Sequence, residues 1–131
     1  MKTEQKKLAI YRLERAFETQ QDAEILAEKE SFNSAVNRFY YAIFYAIRAL
    51  LATKSLDSSK HSGVIALFHK EFVKPGIFSK ELSKIPNVSF EKRTDGDYED
   101  YHEFSKEEVG ALANKCKLFL AEVESVISNM L

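Results

Sequence analysis

Residues 37–51 read NRFYYAIFYAIRALL, and this stretch decides the fold of the chain. With a rotation of about 100° per residue, the large apolar side chains of this stretch and the residue before it form one helical stripe. The stripe consists of Val36, Tyr40, Ile43, Phe44, Ile47, Leu50 and Leu51. Four other side chains fall roughly opposite and are called the Tyr/Arg seam: Arg38, Tyr41, Tyr45 and Arg48. A helix that is apolar or aromatic almost all round is normally buried on more than one side. We therefore predict a central bundle helix whose seam faces a second subunit or a ligand, and for the seam itself we favour packing over catalysis.

Composition predicts one globular domain over residues 1–131, because 45% of the residues are hydrophobic and ten are phenylalanine. The net charge of −1 gives no global basic field that would attract nucleic acid. The single cysteine, Cys116, excludes an intrachain disulfide and fits a reducing compartment. The sequence contains no apolar run of membrane-spanning length and no apolar signal segment at its start. These features predict a soluble cytoplasmic protein that does not associate with membranes.

The fold class predicted from the periodicity is all-α, since only four glycines and two prolines interrupt long 3.6-residue patterns. We expect an up-and-down bundle of four long helices plus one short helix. The long helices are predicted over about 4–29, from Ser31 or Asn33 to 53, over 60–74, and after a capping box of Ser105 and Glu108. The short helix is predicted over 79–84, ending before Pro86. The polar, non-periodic segment 87–103 is predicted to be a loop.

Metal ligation has little support in the sequence. The acidic cluster from Asp95 to Asp100 does not match an EF-hand, because its sixth and twelfth positions hold Asp100 and Lys106 rather than glycine and glutamate. The three histidines have no ligand partners at zinc spacing. Cys116 falls within a helical apolar stripe and is predicted to be inert core. We therefore predict no metal and no cofactor.

One group of polar residues in segment 87–103 has the chemistry of a phosphate site. The guanidinium of Arg93 can bind a phosphate through two parallel hydrogen bonds. The ring of Tyr98 can stack on a base. The alternative is that Arg93 and Asp97 form an ion pair that simply holds the loop in place.

Three stretches together resemble the HEPN domain family. They are residues 38–44 (RFYYAIF), residues 60–68 (KHSGVIALF) and the later Arg93 followed by Asp97 and Tyr98. The resemblance covers roughly Lys7 to Val126. It implies a prokaryotic up-and-down bundle of four or five helices that is often a homodimer. It also implies a link to toxin–antitoxin pairs, in which many members are encoded beside a minimal nucleotidyltransferase.

The resemblance further implies a metal-independent ribonuclease activity in those members that have an arginine followed, after four to six residues, by a histidine. Here those positions after Arg93 hold Tyr98, Glu99 and Asp100, and His102 comes only after eight intervening residues. Tyrosine, with a pKa near 10, is a poor general base at neutral pH, whereas histidine is suited to that role.

The resemblance and this departure from it leave three hypotheses and leave enzymatic activity open. The first is a non-catalytic, nucleotide- or RNA-associated dimeric module that acts with a nucleotidyltransferase-type partner, with Arg93, Asp97 and Tyr98 lining its cleft. The second is an endoribonuclease toxin in which Arg93 holds the scissile phosphate and His102 or Tyr98 assists proton transfer. The third is a purely structural helical dimer.

Overall fold

The computed structural model describes residues 1–131 and consists of five α-helices without a β-strand. In chain order these are α1 (Thr3–Glu28), α2 (Phe32–Ala52), α3 (His61–Phe68), α4 (Ile85–Tyr98) and α5 (Lys106–Met130). A π-helical turn continues α3, and one 3₁₀ turn precedes α4; these are His69–Val73 and Leu82–Lys84. The all-α prediction is confirmed. No helix is both long enough and apolar enough to cross a membrane.

Helix α2 is the central element, as its sequence predicts, and it packs against all four other helices. Every residue of the predicted apolar stripe is buried. Its alanines at positions 35, 42, 46 and 49 are also fully buried, and these small side chains let neighbouring helices approach closely. Hydrogen bonds from Gln5 to the carbonyl of Thr53 and from Arg12 to that of Arg48 show that α1 runs antiparallel to α2.

The loop predicted for residues 87–103 is wrong over most of its length, because α4 extends from Ile85 to Tyr98. Pro86 does not end a helix here but stands in the first turn of α4. Proline is well tolerated there, since the first N–H groups of a helix have no intrahelical partner to lose. The contacts of Asp97 with Asn37 and of Arg93 with Tyr41 show that α4 also runs antiparallel to α2.

The start of α5 has the predicted capping box. The Ser105 hydroxyl accepts a hydrogen bond from the backbone N–H of Glu108 at 3.1 Å, and the Glu108 carboxylate accepts one from the backbone N–H of Ser105 at 3.2 Å. Phe104 and Val109, which flank this box at the positions of a hydrophobic staple, are both buried in the core. Cys116 is fully buried on the inner face of α5, and burial raises the pKa of its thiol to about 12.

Candidate functional site

Arg93 of α4 lies against the seam face of α2 and is held there by two neighbours. Its Nη2 donates a hydrogen bond to the Tyr41 hydroxyl at 3.1 Å. The Asp97 carboxylate, one turn further along α4, lies 3.1 Å from Nε and forms an ion pair that is not aligned as a hydrogen bond. Only 15% of the Arg93 side chain is exposed. Because the group is largely removed from water, its interaction with an anion would be stronger than at the open surface.

Three tyrosine rings surround the Arg93 guanidinium. Its central carbon lies 5.5 Å from the ring centroids of Tyr40 and Tyr41 and 5.8 Å from that of Tyr98. Tyr40 is buried and Tyr41 half-buried, whereas Tyr98 is 72% exposed. The structure thus brings the predicted residues Arg93, Asp97 and Tyr98 together, with one ring accessible beside the cation.

The Arg38–Tyr41 half of the seam joins this group. Arg38 lies over the face of Tyr41, at 4.9 Å from the ring centroid, and donates two hydrogen bonds to the side-chain oxygen of Asn37. Asn37 in turn donates to Asp97 at 3.0 Å. Asp97 therefore connects the two helices, because it accepts a hydrogen bond from Asn37 of α2 and forms an ion pair with Arg93 of α4.

The Tyr45–Arg48 half of the seam faces α1 instead. Arg15 lies 5.5 Å from the Tyr45 ring centroid, and Arg48 pairs with Asp57 at 3.1 Å. Arg12 also reaches Asp57, at 3.5 Å. Partial burial opposes ionisation of Asp57, but a backbone N–H bond and the two arginines outweigh it and lower its pKa.

His61, the first residue of α3, is a member of the site that the sequence interpretation missed. Its Nδ1 lies 2.9 Å from the Tyr40 hydroxyl, and its ring lies 4.2 Å from Phe44 and 5.8 Å from Tyr41, measured between centroids. Burial, followed by the positive charges of Arg93 and Arg48, lowers the pKa of His61. The imidazole is therefore neutral at neutral pH. In the sequence, the one signal that points to His61 is its place in the second stretch of the family resemblance, residues 60–68.

His102 lies elsewhere, in the turn between α4 and α5. Its Nδ1 is 3.2 Å from the Glu99 carboxylate, and its ring lies 4.6 Å from that of Phe104. Its backbone carbonyl accepts a hydrogen bond from Asn33 at 2.9 Å. None of its hydrogen bonds reaches Arg93. The structure brings Arg93 together with His61 rather than with His102.

Comparison with known proteins identifies what the chain is similar to. A family model described as HEPN domain matches residues 9–126. A "UPF0332 protein" of Thermotoga maritima is 46% identical over 97% of this chain and 96% of its own length. "Putative toxin MJ0142" of Methanocaldococcus jannaschii is 36% identical over 88% of this chain and 78% of its own. "Putative toxin MJ0605" of the same organism is 33% identical over 91% of this chain and 88% of its own.

Proposed function

The chain belongs to the HEPN family, and from that premise we propose that it is a nucleotide- or RNA-binding module that acts with a partner protein. In this proposal it is a cytoplasmic homodimer, has no nuclease chemistry of its own and works with a partner of the nucleotidyltransferase type. The supporting observation is the Arg93 group, in which a largely buried guanidinium is fixed by Tyr41 and Asp97 beside the exposed ring of Tyr98.

The geometry of Arg93 supports phosphate binding. A guanidinium has five N–H donors in a planar fork. Within the chain it makes one hydrogen bond, to Tyr41, and one ion pair, to Asp97, so donors remain for a phosphate. The neighbouring Tyr98 ring supplies a surface for a base, and such stacking contributes about 1–3 kcal/mol. One nucleotide would thus contact both residues at once.

Calorimetric titration with nucleoside mono- and triphosphates tests this proposal. Arg93→Ala should weaken binding by about 10- to 100-fold, since hydrogen bonds to charged groups are worth roughly 1.5–3 kcal/mol. Lys117→Ala, which removes an exposed cation from α5, is the matched control and should leave the affinity unchanged. Absence of nucleotide and RNA binding at millimolar concentration would exclude the proposal and leave a structural dimer.

The dimer is tested separately by light scattering at tens of micromolar protein. A mass of about twice 15.0 kDa is expected. A monomer would contradict the homodimer prediction without affecting the nucleotide titration. A nucleotidyltransferase that co-purifies with the chain when both are produced from neighbouring genes would support the partner proposal.

A second candidate function is that of an endoribonuclease toxin. Two observations favour it: two relatives carry the printed name "Putative toxin", and a neutral histidine, His61, lies within the same aromatic group as Arg93. A neutral imidazole is a competent general base near pH 7.

Incubation with RNA in EDTA discriminates between the two functions. Cleavage lost in both Arg93→Ala and His61→Ala would assign the chemistry to the α2–α3–α4 group. Cleavage lost in His102→Ala would assign it to the turn after α4. No cleavage above background at high protein concentration would exclude the toxin hypothesis.

A further inference from the structure

All five arginines of this chain lie along one face of the molecule, although the sequence has 19 basic residues. They are Arg12, Arg15, Arg38, Arg48 and Arg93. Each contacts the Tyr/Arg seam of α2 or belongs to it, through a ring, a backbone carbonyl or a shared carboxylate. We call this set the arginine track. The lysines make none of these contacts with the seam.

The charge along the track is uneven. Two carboxylates form ion pairs with its arginines: Asp57, shared by Arg12 and Arg48, and Asp97, which pairs with Arg93. Arg15 and Arg38 have no acidic partner and lie over tyrosine rings instead. Arg15 and Arg38 are therefore the two cations of the track whose charge no carboxylate neutralises by a direct ion pair, on a chain whose net charge is −1.

We propose that the arginine track binds the phosphodiester backbone of a single-stranded nucleic acid, continuing from the nucleotide site at Arg93. The inference rests on the proposed function and extends it from one phosphate to several. Arg38 and Arg48 are ten residues apart on α2, which corresponds to about 15 Å at 1.5 Å per residue. A strand of stacked nucleotides rises about 3.4 Å per nucleotide along its axis, so a strand that runs parallel to α2 would pass about four nucleotides over this length.

The track is lined by arginines and tyrosines rather than by lysines, and this composition supports a single strand as the ligand. Guanidinium groups match phosphate geometry and also stack on aromatic rings, which a lysine ammonium does less well. Unpaired bases can stack on tyrosines such as Tyr98, whereas bases inside a duplex cannot. A free mononucleotide would reach only the Arg93 end of the track.

Arg15 offers the cleanest test, because the residue is exposed and its guanidinium forms no ion pair or side-chain hydrogen bond within the chain and lies only over the ring of Tyr45. We would measure fluorescence anisotropy of a labelled 12-nucleotide RNA, a DNA of the same sequence and a labelled mononucleotide, between 50 and 200 mM KCl. The variants are Arg15→Glu and, as a matched charge reversal at an exposed lysine of α5 that makes none of the seam contacts, Lys117→Glu. Circular dichroism verifies that both variants fold.

The expected result is at least tenfold weaker binding of the 12-mer by Arg15→Glu, with unchanged mononucleotide affinity and a shallower salt dependence. Lys117→Glu should bind the 12-mer with the same affinity and salt dependence as the unsubstituted protein. Since the slope is about −0.7 per neutralised phosphate for single strands, loss of one contact should reduce it by about 0.7. Tighter binding of RNA than of DNA would show that the track selects RNA. Equal binding of the two would show that it recognises the phosphodiester backbone that they share. Either result supports the proposal.

Two results would contradict the proposal that the track binds a strand: equal effects of the two charge reversals on 12-mer affinity, or a 12-mer that binds no more tightly than the mononucleotide. Neither result would contradict the nucleotide site at Arg93. Loss of the dimer in Arg15→Glu without any oligonucleotide binding would overturn it in favour of a subunit interface. If neither ligand binds the original protein, the proposed function fails as well.

Discussion

Replacing Tyr40 with phenylalanine tests whether the contact between α2 and α3 holds His61 in the site. Tyr40 is 1% exposed, and its hydroxyl lies 2.9 Å from His61 Nδ1. Burial, together with the proximity of Tyr41, raises the pKa of Tyr40, so the hydroxyl remains protonated. The substitution removes this oxygen and retains the ring.

The expected cost is about 1 kcal/mol, the usual net value of one neutral hydrogen bond. The ring keeps its packing, with centroids 5.0 Å from Tyr41, 6.0 Å from Phe44 and 5.7 Å from Phe90. His61 is only half-buried, so water can replace part of the lost bond and the cost stays well below that of a stranded buried group. For a chain of this length, 1 kcal/mol lowers the Tm by about 3–5 °C.

Urea unfolding followed by circular dichroism at pH 7.5 measures this difference. Tyr98→Phe is the matched control, because that ring is exposed and its hydroxyl makes no hydrogen bond; its effect should stay within about 0.5 kcal/mol. A double-mutant cycle with His61→Ala should give a coupling of about 1 kcal/mol between Tyr40 and His61. Equal stability of the two phenylalanine variants, or a coupling near zero, would refute the reasoning.

Three further predictions concern titration, reactivity and capping. NMR titration should place the pKa of His61 below its ordinary value, and Arg93→Gln should raise it while Arg15→Gln does not, because Arg93 is one of the two charges that depress it. Since the unfolded chain then binds the proton more readily, the free energy of unfolding should fall as the pH drops below about 6.5 and level off below the folded pKa; a rise would contradict the assignment. Cys116 should react with Ellman's reagent only after unfolding, and rapid reaction of the native protein would contradict its burial. Ser105→Ala should cost about 1 kcal/mol in urea unfolding through loss of the α5 cap, and an unchanged midpoint would show that the cap is dispensable.

The fold was predictable from the sequence where packing follows a helical period. In α2 the residues of the apolar stripe recur every three or four positions, and the same residues are buried in the structure. The capping box of Ser105 and Glu108 was also predictable, because capping depends on residues that are close together in the sequence. These features are local, so one sequence is sufficient to predict them.

Helix α4 was missed because its own residues carry little helical signal. It is polar over most of its length and contains Gly96, and a proline such as Pro86 more often interrupts a helix than continues it. Its position depends on contacts with α2, such as that between Arg93 and Tyr41, which no periodicity in residues 85–98 reveals. Two signals were nevertheless present: proline is favoured in a first turn, and Arg93 and Asp97 stand at the i,i+4 spacing of a helical ion pair.

The end of α4 also explains why counting residues along the chain identified the less well placed histidine. Tyr98 is the last residue of the helix, so no later residue continues the helical face that carries Arg93. Beyond it the chain turns, with Tyr101 at a φ of 60°, and the carbonyl of His102 bonds to Asn33. His61 is far from Arg93 in sequence, but both pack on the same tyrosines because α3 and α4 contact α2 side by side. If RNA cleavage is observed, the geometry therefore favours His61 over His102 for proton transfer at Arg93, and loss of cleavage in His61→Ala with its retention in His102→Ala would assign that role to His61.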